Sequence, residues 1–399
     1  TMEGWIQNLG SDPITTLTVT WDDGTGPYSD NITGLNIVSN DTYFFTSPTT
    51  LNAVAGQSYT IDMNVSIVGD VDLTNNDATV ATVALTQVPA KYVVGEEKTG
   101  TWCGWCPRGD VGLSGMNTNP NFIGIAVHNG DPMTIANYDS GASTYFPDFT
   151  GFPNGAVDRV IGGDPGSFNT MHTQRAPALV PCDVKNIVAT LNQVTGQISV
   201  SADSEFYGTV TGEYRMSCVI VEDDIMTTGN GWSQVNYYDG TPGNLVDPVS
   251  GFDWGSAGDP VSAVDFGGYD HVAKTLSNND ILGDAGSIAM NPTIGTTSHT
   301  FAGVSGTVVT DQTFANAHAV VMIVNAATAE IVNAEESSIS VVTSTEKIDD
   351  AKFALSVFPN PTADNATVTG NLTVSGTTTT INTTITASDA VVVNNAGSD

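Results

Sequence analysis

The chain has 399 residues, of which 40% are hydrophobic and only 13% charged, with 43 acidic side chains against 10 basic ones. That length suggests about three domains, and the formal charge of −33 excludes nucleic acid as a partner, since phosphates demand Lys and Arg. The same charge excludes docking on anionic lipid. No apolar run reaches spanning length, so membrane insertion is not expected.

Thr, Asn, Gly and Asp dominate the polar positions, a composition that favours strands and turns over helices. The expected architecture is multidomain and mostly β. The chain begins at Thr1 with no basic-apolar leader, which reads as a secreted chain whose signal peptide has already been removed.

Residues 1–88 are expected to form a β-sandwich. The alternation Ile14-Thr15-Thr16-Leu17-Thr18-Val19-Thr20-Trp21 is followed by the turn Asp22-Asp23-Gly24, and Tyr59 to Ile67 and Ala78 to Val83 alternate in the same way. The loop Gly69-Asp70-Val71-Asp72-Leu73-Thr74-Asn75-Asn76-Asp77 resembles one found in cell-adhesion-related immunoglobulin-like domains. Asp70, Asp72, Asn75 and Asp77 offer oxygens of the kind calcium takes. The same residues also read as an ordinary acidic turn. No other cofactor is expected.

Residues 89–180 contain the stretch that carries chemistry. Lys91 to Glu97 reads as a strand, Thr99-Gly100-Thr101-Trp102-Cys103-Gly104-Trp105-Cys106-Pro107 follows, and Asp110 to Met116 reads as a short helix containing two glycines. A dithiol between strand and helix sits where unpaired amides and the helix dipole favour a thiolate. The other reading of Cys103 and Cys106 is half of a zinc site, but no second Cys-x-x-Cys and no His-x-His follows. Phe122-Ile123-Gly124-Ile125-Ala126-Val127 is a continuous apolar run expected as a central strand. It ends at His128, either a proton acceptor near the dithiol or a loop histidine capping the next helix.

Trp-Cys-Gly-x-Cys-Pro after a strand resembles a thioredoxin-fold active site. About fifty residues later comes Gly151-Phe152-Pro153-Asn154-Gly155, where the resemblance implies a cis-proline loop facing the dithiol. Its implied roles are Cys103 as attacking sulfur, Cys106 as resolving sulfur, Pro153 as the presenter of backbone to substrate, and Trp102 and Trp105 as an apolar rim. Trp105 replaces the Pro or His common between the cysteines in better-known relatives.

Residues 181–343 return to β, as a second sandwich. Val184 to Leu191 and Gln197 to Ala202 flank the turn at Thr195-Gly196, Tyr214 to Val221 is a further strand, and Ala319 to Val324 pairs with Ala329 to Ala334. Cys182 and Cys218 lie in this β-rich stretch and are expected as a structural disulfide, the alternative being two buried thiols. Between the strands lies a Gly-, Asp- and aromatic-rich segment, Trp232 to Ser277, containing Tyr269-Asp270-His271-Val272-Ala273-Lys274. Residues 90–340 together resemble a family of Bacteroidota surface proteins related to an outer-membrane protein of Porphyromonas. Lys274 stands where that resemblance implies arginine, and His271 reads as structural.

Residues 344–399 open with a polar linker and then Phe353-Ala354-Leu355-Ser356-Val357-Phe358-Pro359-Asn360-Pro361-Thr362. This resembles the start of a type IX secretion sorting domain and implies a cell-surface or extracellular location in a Gram-negative bacterium. The rest of the tail, Thr- and Asn-rich, departs from that pattern. Two functions follow. One is thiol–disulfide exchange with protein thiols or disulfides. The other is a structural or adhesive subunit whose partners are copies of itself, in a homopolymeric fibre built by strand exchange, with Cys103 and Cys106 as a static clip.

Overall fold

Alternation decides the N-terminal segment: in the strand Ile14–Asp22, Leu17, Val19 and Trp21 point inward and are buried while their neighbours face out. The computed structural model of the protein describes residues 2–192, 196–302, 304, 316–342, 374–375 and 393–394. The chain is mostly β. It divides into two compact units, Thr1–Thr345 and Glu346–Asp399.

The first six strands are β1 (Glu3–Gln7), β2 (Ile14–Asp22), β3 (Pro27–Ile37), β4 (Thr42–Thr46), β5 (Ser58–Ser66) and β6 (Asp77–Val83). β1 and β4 form a two-stranded sheet, and the other four form a sheet in the order β3-β2-β5-β6. Ile6 and Phe45 from the small sheet meet Leu17, Val19 and Ile37 from the larger one in a shared apolar cluster. The turn after β2 is fixed by Asp22, whose Oδ1 accepts from Gly24 N at 2.7 Å while Gly24 takes a φ of +88°.

The next elements are β7 (Val93–Thr99), α1 (Pro107–Ser114), β8 (Phe122–His128), α2 (Ala136–Tyr145), β9 (Asn154–Val157), β10 (Ile161–Gly163) and α3 (Phe168–Arg175). After them come β11 (Cys182–Asn192), β12 (Gln197–Phe206), β13 (Tyr214–Glu222), the single helical turn α4 (Ala263–Phe266), β14 (Val272–Leu276), β15 (Gly295–Thr300), β16 (Ala317–Asn325), β17 (Ile331–Ser338) and β18 (Ser340–Val342). β7 and β8 are parallel, and β9 runs antiparallel to β7.

The expected boundary at residue 180 does not separate two sheets. One eight-stranded sheet runs β10-β9-β7-β8-β14-β13-β16-β17, joining strands from both sides of that boundary. The physical reason lies in β13 and β16, which are buried on both faces. Cys218 and Ile220 of β13, with Val321 and Ile323 of β16, pack against the second sheet, β15-β12-β11-β18, through Val184, Leu191 and Val200. The alternate residues Val219, Val221, Val320 and Met322 pack on the other side with Ile123 and Ile125 of β8 and Tyr138 and Ala142 of α2. A strand with two apolar faces needs cover on each, and the earlier segment supplies one of them.

The expected Cys182–Cys218 disulfide is corrected: both are free, buried thiols. Cys182 opens β11 in the four-stranded sheet and Cys218 lies in β13 of the eight-stranded one, within the same apolar cluster. There each packs as a small hydrophobe, and burial pushes both thiols far above the ordinary range.

Among the described residues no helix is long and apolar enough to cross a membrane. The second unit contributes a parallel pair of short strands, Val374–Ser375 with Val393–Asn394. The sorting-like motif at 353–362 lies outside the described residues.

Candidate functional site at the β7–α1 junction

β7 leads into the loop that carries the dithiol, and Cys106 caps the N-terminus of α1 with Pro107 at its first turn, where a missing N–H costs nothing. Cys103 and Cys106 are joined by a disulfide, with their Cα atoms 5.3 Å apart. The loop is shaped by backbone bonds from Cys103 N to Gly100 O (3.0 Å) and from Cys106 N to Cys103 O (3.1 Å). The sulfurs are well covered, Cys103 being 5% and Cys106 1% exposed.

The proline loop stands beside this junction. The Phe152–Pro153 peptide is cis, and the Phe152 ring meets Trp102 edge-on at 5.1 Å. β7 also holds that loop from beneath. Lys98, almost fully buried, donates to Asp139 Oδ1 at 2.6 Å and places its ammonium 4.9 Å and 5.4 Å from the rings of Phe149 and Phe152.

β7 carries two buried glutamates on opposite faces, as strand alternation requires. Glu96 meets Arg159 and Tyr138. Glu97 faces α1, and the helix approaches so closely that a Cβ on Gly109 would lie 1.8 Å from Glu97 Oε1. The glycine that weakens α1 as a helix is what admits the carboxyl behind the dithiol. Glu97 Oε1 is buried without a hydrogen-bond partner among the described residues.

A small cavity of about 20 Å³ lies beside the disulfide, lined by Cys106, Glu97, Asp110, His128, Tyr269 and Asp270 among others. Burial pushes the Glu97 carboxyl well above the usual range. Burial, with the Asp270 and Asp247 charges, lifts Asp110 to about 8. Asp110 therefore holds a proton at neutral pH. His128, at the end of β8, is fixed by a 2.7 Å bond between its Nδ1 and Asp131 Oδ2. Burial opposes ionisation of Asp131, but bonds from His128, Thr101 N and Met133 N outweigh it and hold that carboxyl below the usual range. His128 therefore lines the cavity and anchors the loop through Asp131. The structure brings Cys103, Cys106, Trp102, Trp105, His128 and the Phe152–Pro153 loop to one junction.

The segment before α4 was not expected at the site. Val235 N donates to Thr101 O at 2.7 Å, Tyr237 N to Gly104 O at 2.9 Å, and Gln234 Nε2 to Cys103 O at 2.9 Å. Residues 234–237 thus lie along the dithiol loop and bond its backbone. Gly104 is required here, because a Cβ would stand 2.3 Å from the Tyr237 ring. Trp105 meets Tyr237 and Tyr238 edge-on at 5.6 Å and 5.3 Å. Trp102, Trp105 and Tyr237 remain 47%, 50% and 59% exposed, an aromatic rim around the covered sulfurs.

Sequence reading missed Glu97, Asp110 and the 234–237 strap. For Glu97 a signal was available: a charged residue inside a strand that runs directly into Cys-x-x-Cys. Nothing in the strap's composition announced its place.

The remaining candidates lie elsewhere. Lys274 pairs with Glu222 at 3.2 Å. Asp72 caps a 3-10 turn through Thr74, Asp70 accepts from Asp72 N, and Asp77 accepts from Asn64. Asn75 ends that turn. The Asp70 and Asp72 oxygens serve as turn caps, and among the described residues no group of three or more His, Cys, Asp or Glu side chains is gathered to hold a metal.

An unfolded Asp ionises near 4, whereas Asp110 holds its proton to about 8 in the folded chain. The folded state therefore binds the extra proton between those values. This group's stabilising contribution is full below about pH 4 and is lost as pH rises toward 8. Asp110→Asn mimics the protonated acid, so the fall in urea midpoint between pH 6 and pH 8.5 is expected to shrink in the variant. An unchanged fall would contradict the assignment.

No family model matches the chain, and no curated protein does. Solved structures do. HBP35 of Porphyromonas gingivalis is similar at 17% identity and a TM-score of 0.44, over 66% of this chain and 80% of that one. A protein of Agrobacterium tumefaciens is similar at 14% identity and a TM-score of 0.34, over 65% of this chain and all of that one. The functional reading rests on the geometry of the site itself.

Proposed function

We propose that the chain is a thioredoxin-like thiol–disulfide oxidoreductase of the bacterial exterior, working through Cys103 and Cys106. The observation that carries this reading is the Cys103–Cys106 disulfide at the N-terminus of α1, with the cis Phe152–Pro153 loop held against Trp102. The order β7-α1-β8-α2-β9-β10-α3, with β10-β9-β7-β8 as its sheet, supports it.

In the reducing direction the Cys103 thiolate, favoured by the helix N-terminus, attacks a substrate disulfide. A mixed disulfide forms, and one substrate sulfur leaves as a thiolate that takes a proton from solvent. Cys106 gives its proton to Asp270, the carboxyl of the adjoining cavity that is ionised at neutral pH. It then attacks the Cys103 sulfur, closes the disulfide and releases the second substrate sulfur. A low-molecular-weight thiol returns the pair to the dithiol. The aromatic rim of Trp102, Trp105 and Tyr237 would receive an apolar stretch of the protein substrate. Export is supported by the acidic composition and the sorting-like motif at 353–362.

The test is catalysed reduction of a protein disulfide by glutathione. Turnover above the uncatalysed rate is expected, and its absence would remove the enzymatic reading. One observation favours the second reading, a structural or adhesive extracellular subunit of a fibre joined by strand exchange, with a static disulfide. Cys103 is only 5% exposed, with the backbone of its loop bonded by the 234–237 strap. A disulfide that resists glutathione in the folded chain, together with ordered polymers in micrographs, would support that subunit instead.

A further inference from the structure

Asp270 lines two cavities. One is the small space beside Cys106, with Glu97, Asp110 and His128. The other is an open cavity of about 650 Å³ lined by Asp223, Asp224, His271, His318 and Glu336. The topology explains the double role. β14 pairs in parallel with β8 through Val272 and Ala126, and Ala126 N donates to His271 O at 2.6 Å. Ala126 in turn stands beside Glu97 in the β7–β8 register. Residues 269–271 therefore run next to the strand that flanks the buried glutamate. Asp270 is held there by Asp224 N, which donates to its Oδ1 at 2.9 Å.

Reduction of the disulfide by two thiols yields two protein thiols and one new disulfide, so two protons pass to the protein with the two electrons. Cys106 is 1% exposed and lines the small cavity. That cavity has room for about one water. The carboxyls facing it are Glu97 from β7, Asp110 from α1 and Asp270 from the loop before β14, with His128 and Tyr269 completing the titratable wall. Asp247 acts on Asp110 and Asp270 from its own loop, and Asp223 and Asp224 act on Asp270 from the end of β13.

We propose that Asp270 couples the redox equilibrium of Cys103 and Cys106 to the protonation state of the open cavity, making that cavity a proton port and an electrostatic control site for the dithiol. This rests on the redox reading of the junction. Burial lifts Asp270 to about 6, and its charge helps raise Asp110 to about 8, so the pair titrates across the range in which an exterior protein works.

The test is the midpoint potential of the full chain against pH, read by glutathione equilibration and mass spectrometry. In the wild type the slope is expected to change near pH 8. Asp270→Asn removes the neighbouring charge, and the break moves down by about one unit, the order expected for one adjacent like charge. Asp270→Glu keeps the charge, and the break stays. An Asp270→Asn break that remains near 8 overturns the proposal. Should that variant not fold, carboxyl carbon titration of the wild type decides. Asp110 and Asp270 are expected to shift together on reduction, and a shift of Asp110 alone overturns the coupling. Failure of the enzymatic reading is seen separately, as an absence of turnover with the potential still pH-coupled.

Discussion

Cys103→Ser is expected to abolish exchange. With serine at 103 no disulfide closes in the loop, and a hydroxyl cannot form the mixed disulfide through which exchange proceeds. The loss in glutathione-driven reduction of a protein disulfide is expected to reach roughly a thousandfold, equivalent to about 4 kcal/mol of transition-state stabilisation. Folding is expected to survive, because the loop is also held by Thr101 N to Asp131, Val235 N to Thr101 O and Tyr237 N to Gly104 O. Cys106→Ser should instead trap a mixed disulfide on Cys103, visible as an added mass. Turnover that persists in Cys103→Ser would place the chemistry elsewhere in the molecule.

The largest effect on stability is expected from Arg159→Met. Arg159 and Glu96 are both fully buried, and the guanidinium meets the carboxylate with two bonds, Nε to Oε2 at 2.8 Å and Nη2 to Oε1 at 2.7 Å. Tyr138 OH adds a third bond at 2.7 Å, and Arg159 Nη1 reaches Ile281 O at 2.7 Å. Removing the cation leaves an uncompensated carboxylate in an apolar layer, at a cost of about 3–5 kcal/mol. Urea unfolding would report it as a lowered midpoint at an unchanged slope. Combining it with Glu96→Leu is expected to restore much of the loss, since a pair removed together leaves no orphan charge. A single variant as stable as the wild type would mean that the Arg159–Glu96 contact does not hold this layer together.

The junction that organises this account was readable because its signals are local. Cys-x-x-Cys-Pro fixes a turn and a helix start within a few residues. A continuous apolar run such as Phe122 to Val127 reads as a strand covered on both faces. The Phe152–Pro153 loop follows in the expected order. What escaped was set by long-range packing. The burial of Glu96 and Glu97, unusual for charged side chains, is explained only by the approach of Gly109 and the fork of Arg159. The sheet that spans residue 180 escaped for the same reason. The apolar pattern of β13 and β16 shows that both faces need cover, not which segment supplies it. Cys182 and Cys218 look alike in sequence whether paired or merely packed. The strap at 234–237 binds the dithiol loop mostly through backbone groups, which every residue possesses, so no side-chain pattern marks it.

The most direct measurement is a thiol–disulfide titration of the native chain in glutathione buffers, quenched by alkylation and read by peptide mass spectrometry. The account predicts a reversible transition confined to Cys103 and Cys106, with Cys182 and Cys218 unlabelled until the chain is unfolded. A native chain in which Cys103 and Cys106 stay oxidised at every glutathione ratio would contradict it.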